Sequence, residues 1–153
     1  MKSLLRFIPL LLLLLTACSK TCDLPANENT GLIVQDVLIN STYLKSHLDD
    51  GEGIIIRTQD MNEEYGTCTV SFDGGDTFEA INFDQYSLIG TRTSTLCSTT
   101  FLRDVQRDDV GKFVNYSITI NECEEGCDFY VNTMNWALIP AVDNSYEIEV
   151  FLF

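Results

Sequence analysis

The side chains able to do chemistry are few in kind. His47 is the only imidazole, there are six cysteines, and 23 acids face 9 basic residues. A general base needs a nucleophile within hydrogen-bond reach, and no Gly-x-Ser-x-Gly or cysteine-histidine arrangement accompanies His47, which reads as a surface residue beside Lys45. Cys123-x3-Cys127 has metal-ligand spacing but lacks partners, since a zinc site wants four nitrogen or sulfur ligands. Asp104, Asp108 and Asp109 with Glu124 and Glu125 offer the oxygens that calcium prefers, without the spacing of a calcium loop. Paired-carboxylate hydrolysis has too many candidate pairs to assign one. No catalytic residue, metal ligand or cofactor is therefore expected, and the cysteines carry the readable chemistry.

The compartment decides that chemistry. Lys2 and Arg6 precede an apolar run from Phe7 to Leu15, and small residues follow. About 20 apolar residues are needed to span a bilayer, so the run reads as a cleaved export signal over residues 1–17. Leu15-Thr16-Ala17-Cys18 resembles the lipobox of bacterial lipoproteins. That resemblance implies a diacylglycerol on the Cys18 thiol, Cys18 as the new first residue, and a membrane held through several acyl chains. In such lipoproteins an Asp after the cysteine marks inner-membrane retention; Ser19 stands there, which points to the outer membrane, with no signal that decides between its periplasmic and surface faces.

Loss of Lys2 and Arg6 takes the 9 basic residues to 7 against 23 acids, so the net charge moves from −14 to −16. Such a body is repelled by phosphate, which excludes nucleic acid as a partner and leaves membrane attachment to the lipid. Residues 18–30, polar and containing Pro25, read as a flexible tether, and residues 31–153 as one domain.

With Cys18 acylated, five thiols remain in an oxidising compartment, so disulfides are expected and one cysteine is left over. Cys22, in the tether, is the expected odd one. Cys97 is expected to pair with Cys127 or Cys123, closing about 25–30 residues and stabilising by about 3 kcal/mol or more, with Cys68 taking the other. A local Cys123–Cys127 pair stays open as an alternative.

The elements that must hold these residues are short. Residues 31–40 and 53–58 are rich in β-branched side chains and suit strands, Ser41 can cap a short helix near 41–48, and residues 59–66 read as a loop. Asp73 and Gly75 suit a turn between strands near 67–72 and 77–82. Tyr86 to Thr93 is the next strand. Asp108-Asp109-Val110-Gly111 and Glu124-Glu125-Gly126 each read as a hairpin loop ending on a glycine, Gly111 or Gly126, in the left-handed region. Those loops predict Phe101 opposite Ile118 and Val105 opposite Val114, then Ile120 beside Tyr130, Tyr116 beside Met134 and Val114 beside Trp136, with Val114, Tyr116 and Ile118 on the apolar face. Trp136, Tyr86, Tyr116 and Tyr130 read as core. Tyr146, Ile148, Val150 and Leu152 alternate with glutamates in a last strand. The class expected is all-β, an antiparallel sandwich or partly closed barrel with one short helix.

Ser71-Phe72-Asp73-Gly74-Gly75-Asp76-Thr77-Phe78 resembles an Asp-box, which implies a hairpin whose aromatic plugs a core. One box in so short a chain implies no glycan-cleaving propeller. The layout of strand, short helix, Ile81-Asn82-Phe83-Asp84 and a meander ending at Asn135-Trp136 and Pro140 is similar to the PrcB-like domain of small bacterial lipoproteins and protease-complex subunits, which implies a binding or accessory role over residues 31–153. The reading at this level is a lipid-anchored envelope module that binds a protein partner or a small ligand. An envelope hydrolase acting on glycan or peptide and a calcium-dependent assembly module are its alternatives.

Overall fold

A computed structural model describes residues 22–41, 48–123 and 127–153. His47, most of the helix expected at 41–48, and the turn at Glu124, Glu125 and Gly126 lie outside them.

The described chain is all-β, as its patterning predicts, with three sheets, one short helix and no closed barrel. Ten strands run in order: β1 (Glu28–Gly31), β2 (Val37–Ser41), β3 (Gly53–Ile56), β4 (Cys68–Phe72), β5 (Glu79–Ala80), β6 (Tyr86–Leu96), β7 (Thr99–Asp108), β8 (Phe113–Glu122), β9 (Tyr130–Pro140) and β10 (Glu147–Leu152). They form sheets of order β1-β7-β8-β10, β3-β6-β9 and β2-β4-β5.

The β3-β6-β9 sheet is the middle layer, which explains its composition. A strand covered on both faces needs apolar residues at consecutive positions, and Ile54-Ile55-Ile56, Leu88-Ile89 and Ala137-Leu138-Ile139 provide them. Ile55, Ile89, Ala137 and Ile139 meet Phe101, Val105, Val114, Tyr116 and Ile118 of the four-stranded sheet. Ile54, Ile56, Leu88, Trp136 and Leu138, on the opposite face, meet Cys68 and Val70 of the β2-β4-β5 sheet together with Leu48 and Ile81. Two cores thus share one central sheet.

The apolar face of Val114, Tyr116 and Ile118 is buried as expected, but both registers differ from those the turns suggest. In the β7–β8 hairpin Phe101 faces Ile120 and Val105 faces Tyr116, a slip of two residues. The Asp108 carboxylate accepts from the backbone N–H of Val110 (2.9 Å) and Gly111 (3.0 Å), so Asp108 stays in the ladder, paired with Phe113, and the loop moves to 109–112. Lys112, not Gly111, then takes the left-handed position, at φ 60°. Gly111 is needed for closeness instead: a Cβ there would lie 2.6 Å from the Asp108 carboxylate. A slip of two preserves the buried face, because side chains alternate with period two.

The second register is corrected outright. β9 pairs with β6, Trp136 opposite Gly90 and Met134 opposite Arg92, rather than with β8. The chain crosses between sheets after Cys123, so Tyr116 meets β9 face to face and donates its hydroxyl to Asn135 O at 3.3 Å. β10 returns beside β8 in parallel, and β1 lies parallel to β7, so the sheet expected to be antiparallel is mixed. Parallel neighbours need a long connection, and β9 in another sheet supplies it between β8 and β10.

The segment 59–66, expected as a loop, contains helix α1 (Gln59–Tyr65). The Thr58 side chain caps it by accepting from Met61 N at 3.2 Å, and the buried Asn62 side chain bonds both Cys68 N and Cys68 O, at 2.8 and 2.9 Å. Ser41 ends β2, and the helix it was expected to cap lies outside the described residues. The strand expected over 31–40 is broken in two by Asp36 at φ 57°, and its first part begins inside the expected tether, at Glu28.

The β4–β5 hairpin is present with Thr69 opposite Ala80. Asp73 and Gly74 hold the positive φ angles, 65° and 64°, while Gly75 accepts the Ser71 hydroxyl through its carbonyl at 2.6 Å. Phe78 is 40% exposed, so the aromatic does not plug the core as an Asp-box implies.

Candidate functional site

Four of the cysteines mark one end of the fold. Cys22 is bonded to Cys123 and Cys97 to Cys127. The second pair is one of the two expected; the first corrects the reading of Cys22 as the odd thiol. Among the described residues Cys68 is the free one, 1% exposed, between the central sheet and the β2-β4-β5 layer, remote in topology from the β7–β8 sheet that carries Cys123. Burial pushes its thiol up from the ordinary value, and Ser41 offsets part of that by hydrogen bonding to it. Around the cystines the surface is apolar: Phe129 is 61%, Tyr130 71% and Val131 38% exposed, so Tyr130 is no core residue.

A cleft of about 260 Å³ opens along the free edge of β9, where β2 runs beside it and then diverges. Val34 N donates to Leu138 O at 2.8 Å, and no further bond of this kind joins the two segments among the described residues. The walls are Ile33, Val34, Val37, Leu38, Ile39 and Met134. The remaining lining includes Asn29, Arg103 and Trp136.

Arg103 occupies the inward row of β7 between Phe101 and Val105, both buried. A cation in such a row must find polar partners, because desolvating charge is costly. It donates one Nη to Trp136 O at 3.4 Å and a hydrogen bond to the buried Tyr116 hydroxyl, whose own acidity burial suppresses. Its Nε lies buried with no partner among the described residues, and no carboxylate pairs with it there. Asn29 is its direct neighbour across the β1–β7 ladder, and the Asn29 Oδ1 is likewise buried and unpartnered. Trp136, 7% exposed, is the third case: its indole N–H has no partner among the described residues.

The setting of Trp136 follows from Gly90. A Cβ at Gly90 would lie 2.2 Å from Cε3 and Cζ3 of the indole, so the benzo edge rests on β6. The pyrrole edge bearing Nε1 is the one farther from Gly90. Arg103 and Asn29 escaped the sequence reading, the first although Phe101-x-Arg103-x-Val105 places a cation in an apolar row, the second because it sits in the expected tether.

The acids do not converge. Among the described residues no three His, Cys, Asp or Glu side chains come together as a metal site. Asp109 accepts from the Tyr146 hydroxyl and pairs with Arg107 at 2.8 Å. Comparison with protein families, with characterised proteins and with solved structures finds no match to this chain.

Proposed function

We propose that this chain is a bacterial envelope lipoprotein, acylated at Cys18, whose β domain is a binding or accessory module for a protein partner or a small ligand. The address rests on Leu15-Thr16-Ala17-Cys18 at the end of the apolar run, and Ser19 favours the outer membrane. Two disulfides support it, because such bonds persist in oxidising compartments. The observation that carries the binding role is the cleft along β9, whose lining sets Asn29, Arg103 and Trp136 among aliphatic residues and holds no nucleophile or general base. The resemblance of the sequence to PrcB-like domains points to the same role.

Only residues 19–21 separate Cys18 from the bridged Cys22, and four residue steps of about 3.5 Å reach roughly 14 Å. The cystine end then sits against the bilayer, where the exposed Phe129 and Tyr130 suit the headgroup level. The cleft faces whatever the envelope presents. Affinity capture of the acylated protein from its native envelope tests the role: the expected result is a reproducible co-purifying partner. Absence of one contradicts a binding module.

A further inference from the structure

We infer that the free edge of β10 is a docking site for an extended, basic segment of a partner protein, which adds to the four-stranded sheet as a fifth strand. The inference rests on the binding-module reading in its protein-partner form, concerns a surface other than the β9 cleft, and needs no lipid on Cys18.

The main chain makes the site. β10 is a terminal strand of its sheet, with β8 on one side and no strand on the other. Glu147 N donates to Lys112 O at 2.9 Å, Phe153 N to Ile118 O at 3.0 Å, and Phe153 O accepts from Ile120 N at 2.9 Å. Main-chain groups alternate in direction along a strand, so Glu147, Glu149, Phe151 and Phe153 turn theirs to β8, and Ile148, Val150 and Leu152 turn theirs to the open edge. Those N–H and C=O groups have no protein partner among the described residues. Exposed edges are ordinarily blunted by lysine, proline, a bulge or brevity. β10 runs six residues in unbroken register with β8 and contains no lysine, proline or bulge, which leaves it a template for another strand.

The side chains choose the occupant. Ile148 and Val150 pack toward the core, where Gly53 of β3 lies against both. Glu147, Glu149 and Phe151 alternate with them and are exposed, Phe151 by 42%. Among the described residues no ion pair involves either glutamate. The cations near the start of β10 are spent on Tyr146, Arg57 donating to its carbonyl and Lys112 to its hydroxyl. A second copy paired about the middle of β10 would gather four glutamates, and like charges across a ladder are destabilising. A strand with Lys or Arg at every second position instead sets a cation beside Glu147 and Glu149, while apolar residues between them continue the row of Ile148 and Val150. The acids thus exclude self-pairing and select a basic partner.

Fluorescein-labelled Val-Lys-Val-Lys-Val-Lys is titrated with the full-length protein in phosphatidylcholine vesicles, anisotropy being the readout and Val-Glu-Val-Glu-Val-Glu the control. The expected result is saturable binding of the lysine peptide, roughly tenfold or more tighter than that of the glutamate peptide. In an antiparallel pair the valine N–H groups point at β10 and the lysine N–H groups away from it. N-methylation of the valines is therefore expected to abolish binding and N-methylation of the lysines to preserve it, at unchanged charge. Loss confined to the lysine set places the peptide parallel to β10 and also supports the edge. Glu147→Lys combined with Glu149→Lys, both on exposed positions, is expected to reverse the preference between the two peptides. Val150→Pro removes an N–H that β8 does not use, a place where an edge strand accepts proline, and is expected to weaken binding roughly tenfold or more. No saturable binding overturns the inference, and so does equal loss from both methylated sets, which marks general attraction to an acidic surface. A negative titration with a partner captured from the envelope removes this edge and leaves the binding module standing.

Discussion

Asp109 and Asp143 show how single side chains set the acid limit of the fold. Asp109 accepts from the Tyr146 hydroxyl and pairs with Arg107, and these hold its carboxyl below the usual value, the tyrosine hydrogen bond contributing most. Asp143 is lowered chiefly by hydrogen bonds from Ser145. Lys112 lies 4.6 Å over the Tyr146 ring and donates to its hydroxyl, so one tyrosine gathers both charges at the β7–β8 tip. A carboxyl whose folded pKa lies below its unfolded one stabilises fully above the unfolded value, and that stability goes as pH falls through the folded value. Thermal melts should therefore show a midpoint that declines below about pH 4, and Asp109→Asn should lower the midpoint at neutral pH, leave it little changed in acid, and so flatten part of that decline. An unchanged acid limb in the variant would remove Asp109 from this role. These contacts were not legible beforehand, because Asp108-Asp109 reads only as turn acid and the tyrosine that meets it is 37 residues away.

At the scale of elements, the cystines reinforce the end of the fold where the chain changes sheet. β9 leaves the β7–β8 sheet and pairs with β6, and Cys97–Cys127 joins the end of β6 to the approach of β9. Cys22–Cys123 fastens the segment before β1 to the end of β8. The sequence separations are 30 and 101 residues, which on the chain-entropy model correspond to about 3.6 and about 4.7 kcal/mol, as upper figures. Replacing each pair by serines and measuring urea unfolding should lower stability for both, more for Cys22 and Cys123. A larger loss for Cys97 and Cys127 would mean that the long loop is already held by β1. Alternation made the buried face of β8 readable, since a two-residue slip leaves it intact, and it made the strand runs of the central sheet readable from their continuous apolar residues. Partner choice was not readable. A glycine after two acids looks the same whether the chain folds back on its neighbour or crosses to another layer, and α1 hides because its cap, Thr58, lacks the glutamate three residues on that would announce it.

The whole molecule combines an acidic surface, a doubly clamped end and a three-layer β body whose middle sheet is covered on both faces. Those features suit a domain held close to a membrane by lipid while its charge keeps it from lying down on anionic headgroups. The proposed anchor at Cys18 gives the cystine end, the short segment before it and the exposed aromatics one common setting. The most direct test is the intact mass of the protein purified from the membrane fraction of its native host, with the N-terminal peptide sequenced. The account predicts a chain that begins at Cys18 and carries acyl chains on that residue. A chain that retains Met1, or one cut at the same place with an unmodified amino terminus, contradicts it.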